Sequence, residues 1–380
     1  MSDTFYCAAP WRGLHINPQG EVKTCCSGKL PIDGNLNTNS ITEILNGDFM
    51  QEVRQSLSKG IPHSYCSDCV QAHKSGFHSE RNWHNDQNQD IDYTTTGSQY
   101  HYPVIVDVRW NTTCNLSCNY CGPVASSKWS SIKGIPFKSG TRSYYNDVCD
   151  FINANYKHVR DVALVGGEPL LLPENERLLD VIPDDCNVTI ITNMNVDLEK
   201  NKIFKKLTQR KNVVWSISFD NIQQQFEYVR HGGNWETLVR NLSIVKELFT
   251  QGHLGGIHAV YNIYNATQIT EFREWSASQG FSVEWQKLFH PECLNPFLHG
   301  PAVATLAIKE IENFYATGLA TDFEIQLFDN ALQTYKQITQ AHPNITQIFK
   351  GYTNQMETKF HPDQAGQFEK LWPEFKNILT

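Results

Sequence analysis

The chain has 380 residues, of which 40% are hydrophobic, and a formal net charge of -8. That length exceeds one average domain and can fill a barrel-sized core with an attachment, while the acidic balance speaks against a nucleic-acid partner, since phosphate contacts need a basic face. No run of about 18 apolar residues offers a membrane span, and the start MSDTFYCAAPW lacks the basic-then-apolar pattern of a signal peptide. A cytoplasmic protein with no membrane partner is expected, and in that reducing compartment eleven cysteines fit metal or cluster ligation better than disulfides.

Residues 1–75 form a small cysteine-rich α+β domain on this reading, with Cys7, Cys25, Cys26, Cys66 and Cys69. Asn17-Pro18-Gln19-Gly20 is a turn between two short strands, because proline and glycine supply the fixed and the positive φ it needs. That hairpin brings Cys7 and Cys25 toward one point. Ser40 to Ser58 has the pattern of a helix, capped by Ser40 with Glu43 three residues on and an apolar stripe from Ile41 to Leu57. Cys66-x2-Cys69 follows as a knuckle, so hairpin and knuckle together supply four thiols for zinc or a fully ligated iron-sulfur cluster. Residues 76–102 are polar and without period, which predicts a linker on the surface, with His73, His78 and His84 solvated.

From residue 103 strand and helix patterns alternate. Strands are expected at Val104–Trp110, Val159–Val165, Asn187–Ile191, Val213–Phe219, Gly256–Tyr261 and Phe281–Leu288, with helices at Tyr144–Tyr156, Leu198–Leu207, Trp235–Phe249 and Gln268–Ser278. Repeated strand-helix units imply a parallel sheet, and six of them over residues 103–295 give an α/β fold, an open partial (β/α)6 TIM-like barrel. Residues 296–380 form a helical extension, with Pro301–Tyr315, Phe323–Thr339 and Phe368–Leu379 helical and no interpretable motif.

The chemistry gathers at Cys114-Asn115-Leu116-Ser117-Cys118-Asn119-Tyr120-Cys121, directly after the first core strand. Three thiolates spaced Cys-x3-Cys-x2-Cys, with no fourth ligand nearby, hold three irons of a [4Fe-4S] cube and leave one open. The alternative is a zinc site completed from elsewhere. Gly166-Gly167-Glu168-Pro169, Thr192-Asn193, Ser218 with Asp220, and Asn262 each end a later strand, the position from which β/α barrels present active residues.

This constellation resembles the radical S-adenosylmethionine (SAM) superfamily, whose cluster motif is matched by Cys114, Cys118 and Cys121, including the aromatic Tyr120 before the last cysteine. The resemblance implies that the open iron binds the amino and carboxylate groups of SAM. It implies further that Gly166 and Gly167 let the backbone approach the methionine moiety, that Glu168 faces the ammonium, and that Ser218 and Asp220 bind the ribose. Asn193 and Asn262 would line the same cleft, and Arg230 would meet the SAM carboxylate.

Cys7, Gly20-x4-Cys25 and Cys66-x2-Cys69 resemble the twitch module, the shorter relative of the SPASM domain, which binds an auxiliary [4Fe-4S] cluster. In familiar members this module follows the barrel, whereas here it precedes it. Cys26 leaves the second ligand open, although the spacing favours Cys25. The implied activity is reductive cleavage of SAM to a 5′-deoxyadenosyl radical and hydrogen abstraction from a small-molecule or peptide substrate, ending in an oxidation or cross-link. A flavodoxin or ferredoxin would supply electrons. Cys293, with Glu292 and His290, is a candidate proton or hydrogen donor, against the plainer role of loop surface. The rival reading is a non-catalytic zinc-binding interaction protein.

Overall fold

A computed structural model of the chain describes residues 5–29, 34–74, 79–90, 97–136, 144–288, 290–376 and 378–379. Its strands are β1 (Gly13–Ile16), β2 (Val22–Lys23), β3 (Ile105–Val108), β4 (Asp161–Leu164), β5 (Asn187–Thr192), β6 (Val213–Ser218), β7 (Leu254–Tyr261) and β8 (Val283–Lys287). They lie in one sheet in the order β2-β1-β3-β4-β5-β6-β7-β8. The six expected core strands are β3 to β8, and the alternation of buried with half-buried residues along β5 and β6 matches the period of two that marked them. The α/β fold with a mostly parallel sheet and a helical carboxyl-terminal region is thus observed.

One feature of the sheet departs from expectation. β1 and β2 form the anticipated antiparallel hairpin, but β1 also pairs in parallel with β3, from Gly13 against Ile105 to Ile16 against Val108. The cysteine-bearing hairpin therefore extends the sheet through β3. By contact the chain divides into two discontinuous units, one of Met1–Thr113, Phe137–Ile191 and Leu198–Val214, the other of Cys114–Pro136, Thr192–Asp197 and Trp215–Thr380.

In the first unit, the helix expected from Ser40 to Ser58 is two helices, Ile41–Asn46 and Asp48–Ser58, separated by Gly47 in an extended conformation. The capping box is present: the Glu43 amide donates to Ser40 Oγ at 3.2 Å and the Ser40 amide to Glu43 Oε2 at 2.8 Å. The polar stretch after the knuckle is not a solvated linker where it is described. It contains a helix, Glu80–Asp86. Its Asn85 accepts a hydrogen bond from the Ala8 amide at 2.9 Å, Trp11 Nε1 donates to Gly97 O at 2.8 Å, and His84 is buried. Residues 75–78 and 91–96, His78 among them, lie outside the described residues, as does the side chain of His73.

Arg54 ties these segments together. Fully buried, it donates to Pro10 O at 2.7 Å, to Ser98 O at 2.5 Å and to Leu45 O. A buried cation satisfied only by carbonyls keeps its charge reluctantly, and burial lowers its pKa to about 10.

In the second unit, helix Trp235–Phe249 has the bounds its apolar spacing predicts. Helices Pro301–Ala316 and Asp322–Lys336 follow expectation, whereas Ile345–Gln355, read as polar loop, is a third helix. Its signal was present in Ile345, Ile348, Phe349 and Tyr352, spaced i, i+3, i+4, i+7. The tail does more than cover a surface: Phe349, Phe368, Trp372 and Phe375 share a core with Tyr228, Val229 and Tyr264, and Tyr120 packs against it. A buried ion pair, Arg273 Nε to Glu324 Oε1 at 2.6 Å, joins helix Ile269–Ser278 to Asp322–Lys336. Among the described residues no helix is long and apolar enough to cross a membrane.

Replacing Arg54 by Met is expected to strand three carbonyls. At about 1–3 kcal/mol for each unsatisfied buried group, thermal or denaturant unfolding should reveal a loss of about 3 kcal/mol or more in the first unit.

Candidate cluster sites

The amino-terminal thiols come together in the first unit. Cys7, Cys25, Cys66 and Cys69 line one cavity with Phe5, Tyr65 and Arg81, over a core of Phe5, Trp11, Met50, Val53 and Leu57. Burial, followed by the neighbouring Cys7, Cys26, Cys66 and Cys69, pushes the Cys25 thiol well above its ordinary range. Burial and then Cys69 push Cys66 up to about 12. Thiols that raise one another in this way become thiolates only when a cation compensates their charge, which is what an iron cluster supplies. Cys26 differs: its side chain is exposed and its charged neighbours are Glu80, Asp107 and Arg109. The geometry thus favours Cys25.

Also in the first unit, the Gly166-Gly167-Glu168 segment follows β4. Gly166 has φ +128°, a conformation that side chains resist. A Cβ on Gly167 would stand 2.2 Å from the Thr113 carbonyl oxygen and 2.6 Å from the Thr112 carbonyl. The missing side chain therefore accommodates this chain's own backbone. The Glu168 amide donates to Thr113 O at 2.7 Å, and its buried carboxylate accepts from the Leu170 amide at 3.1 Å, capping the short turn Pro169–Leu171. Thr113 immediately precedes Cys114 in the chain.

The loop of Cys114, Cys118 and Cys121 belongs to the second unit and is held on both sides. The Ser117 amide donates to His231 O at 2.9 Å and the Asn119 amide to Val229 O at 2.7 Å. Helix Ser127–Lys133, capped by Ser126, returns Trp129 Nε1 to Cys118 O at 2.9 Å and Ser127 Oγ to the Cys114 amide at 3.1 Å. Tyr352 OH, from the helix missed in the sequence, donates to Asn119 O. Two donors face the Cys114 sulfur, the Leu116 amide at 3.5 Å and Asn193 Nδ2 at 3.9 Å, as a ligating thiolate requires. Burial raises the Cys118 thiol and Arg230 opposes that rise. Among the described residues no three His, Cys, Asp or Glu side chains gather tightly enough to hold a single metal ion, so both ligand sets rest on motif, burial and electrostatics.

Several expected ligand contacts are already used within the protein. Asp220, fully buried, accepts from Tyr120 OH at 2.6 Å, Arg230 Nε at 3.1 Å and the Val260 amide at 2.7 Å, so both its oxygens have partners within the protein. Arg230 is correspondingly a partner of Asp220 through Nε. Asn262 donates to Val260 O at 2.7 Å and accepts from the Tyr264 amide at 2.8 Å, holding the turn after β7. Asn193 keeps its place beside Cys114, and Ser218 stands half-buried at the end of β6. Cys293 is buried in the carboxyl-terminal core, and burial, then Glu292, pushes its thiol up to about 11. Its packing in that core replaces the loop-surface position that was the plainer expectation for it. The sequence reading had no means of seeing Ser126, Trp129 and Tyr352, which are polar or aromatic residues in stretches without a motif.

A model of the radical SAM superfamily matches residues 108–274, and a model of SPASM, an iron-sulfur cluster-binding domain, matches residues 7–70. The chain thus carries a radical SAM domain and, ahead of it, a SPASM iron-sulfur cluster-binding domain, which imply a [4Fe-4S] cluster, SAM and auxiliary iron-sulfur as cofactors in place of zinc.

The 7-carboxy-7-deazaguanine synthase of Clostridium acetobutylicum is 35% identical over 94 residues, which are 24% of this chain and 38% of that protein. The chain therefore spans well under half the length of that relative. Among solved structures, native anSMEcpe with bound AdoMet gives a TM-score of 0.41 at 16% identity, over 66% of this chain and 65% of that one. Streptococcus suis SuiB gives 0.43 at 15%, over 84% and 70%.

Two substitutions separate the roles. Cys25→Ser should cost about four irons of the reconstituted protein, one cube, while Cys26→Ser leaves iron content unchanged; the reverse outcome would reassign the ligand. Gly167→Ala must displace the Thr112–Thr113 backbone, so SAM cleavage should fall roughly tenfold or more, about 1.4 kcal/mol in barrier.

Proposed function

We propose that Cys114, Cys118 and Cys121 hold a three-thiolate [4Fe-4S] cluster whose fourth iron binds SAM, and that the enzyme abstracts a hydrogen atom from a small-molecule or peptide substrate. The observation that supports this reading best is the loop itself: three thiols in eight residues, pinned by backbone bonds at Ser117 and Asn119, with N–H donors facing Cys114. When bound, the reduced cluster would supply one electron to the C5′–S bond of SAM, which would release methionine and a carbon radical able to take the substrate's hydrogen.

The chain's own residues bind and orient. The three thiolates leave one coordination position, and Asn193 with the Leu116 amide stabilises the charge on Cys114. Glu168 is proposed to face the SAM ammonium, since a buried ammonium needs a carboxylate; Ser218 is proposed to meet a ribose hydroxyl. These two roles follow from the sequence resemblance. Cys7, Cys25, Cys66 and Cys69 are proposed to hold the auxiliary cluster that takes an electron from the substrate radical, so that the net outcome is an oxidation or a cross-link. A flavodoxin or ferredoxin is the proposed reductant.

Anaerobically reconstituted protein given dithionite and SAM should yield 5′-deoxyadenosine by chromatography, and Cys114→Ala, Cys118→Ala or Cys121→Ala should each abolish it. Wild-type protein holding about eight irons, as two cubes require, yet yielding none would refute the reading.

A further inference from the structure

The chain is acidic overall, yet the stretch that leaves the cluster loop is not. Residues 122–136 hold Lys128 and Lys133 and no acidic residue, and both lysines are exposed. Two apolar side chains stand out in the same stretch, Val124 at 80% exposure and Ile135 at 51%. Hydrogen bonds gather them about Ser130: its Oγ donates to Pro123 O at 3.0 Å, next to Val124, and its carbonyl accepts from the Ile135 amide at 3.0 Å. Exposed apolar groups rimmed by charge mark a surface that a partner covers.

The carboxyl-terminal region adds a further cation. Lys133 Nζ lies 5.2 Å from the ring centroid of Phe360, and Lys359 Nζ lies 5.5 Å from the same centroid. One half-buried ring thus holds two exposed ammonium groups, which repel each other and favour the approach of an anion. The acidic residues closest to Lys359 in sequence are already engaged. Glu357 is buried and accepts from Tyr228 OH and from the Gly366 and Phe368 amides, while Asp363 pairs with His231 at 3.1 Å.

This patch backs onto the cluster loop. Phe360 packs edge-on against Trp129 with ring centroids 5.4 Å apart, Lys133 Nζ is 4.8 Å from the Trp129 ring, and Trp129 Nε1 donates to Cys118 O at 2.9 Å. One aromatic side chain therefore separates the lysines from a cysteine of the loop.

We propose that Lys133 and Lys359, with Val124 and Ile135, form the docking surface for an acidic one-electron carrier protein that reduces the cluster on Cys114, Cys118 and Cys121; this rests on the cluster assignment proposed above. Carboxylates of the carrier meet the lysines, and its apolar rim covers Val124 and Ile135. One electron leaves the reduced carrier for the cluster, so the carrier is oxidised by one electron, the cluster is reduced by one, and no bond forms or breaks. The patch is too short for a nucleic acid, whose phosphates need a longer basic face. Its place behind Cys118 suits a partner that delivers an electron.

The test uses full-length reconstituted protein with a purified acidic ferredoxin as probe, reading binding by calorimetry at low ionic strength and cluster reduction by stopped-flow absorbance. The double variant Lys133→Glu/Lys359→Glu should bind the ferredoxin roughly tenfold or more weakly and be reduced by it correspondingly slowly, the difference shrinking above about 0.5 M salt. Lys133→Arg/Lys359→Arg should stay near wild type, as should Arg240→Glu, which reverses a charge at an exposed position of helix Trp235–Phe249. Dithionite needs no docking surface, so a deficit confined to ferredoxin supports the proposal, and a deficit with both reductants in an iron-loaded variant overturns it. Should the double variant lose its iron, Val124→Glu sets an opposing charge on the most exposed side chain of the patch and should weaken ferredoxin binding in the same way. Unchanged ferredoxin binding in the iron-loaded variants, or binding of a single-stranded oligonucleotide in its place, overturns the docking surface alone. Iron-loaded wild type that cleaves no SAM with dithionite overturns the cluster assignment itself.

Discussion

Two backbone hydrogen bonds, Ser117 to His231 and Asn119 to Val229, are the constraint on which the second unit depends. They hold the cysteine loop against the segment that ends helix Gln223–Val229, and they fix Cys118, Tyr120 and Arg230 as one group. Everything added to the loop reinforces this. Trp129 binds the Cys118 carbonyl from the helix that follows, and Tyr352 binds the Asn119 carbonyl from the carboxyl-terminal region. A thiolate ligand set of this kind needs rigid support, because its geometry must be set before the metal arrives.

The same economy of contacts governs the first unit. Gly167 lies where no Cβ fits, and Glu168 uses its amide to fix Thr113, so the glycine-rich motif shapes the entry to the cysteine loop through the backbone. The amino-terminal hairpin joins the sheet through β3, and Arg54 gathers Pro10, Leu45 and Ser98 about the cysteine-bearing segment. An auxiliary domain placed first in the chain is thereby built into the core sheet.

The sequence made some of this readable and concealed the rest, for physical reasons. β4 to β8 and helix Trp235–Phe249 were visible because their apolar periods are clean, and the cap at Ser40 because its chemistry is local. The four auxiliary thiols and the cluster loop were visible because ligands in motifs keep fixed spacing. The partnership of Tyr120 with Asp220, one hundred residues apart, is tertiary and has no local signature. The partners that Asp220 and Asn262 find inside the protein are tertiary in the same way and are not legible in the sequence. The burial of Cys293 in a core with Tyr264 and Trp372 was hidden for a related reason, since it depends on helices from the tail.

The central claim is that one iron of the cluster on Cys114, Cys118 and Cys121 remains open to SAM. Electron-nuclear double resonance on the reduced cluster, with SAM carrying 15N at its amino group, addresses it without need of a substrate. The account predicts a 15N coupling to the cluster spin that vanishes when unlabelled SAM replaces the labelled form. A reduced four-iron cluster at these cysteines that shows no coupling under saturating labelled SAM would contradict it.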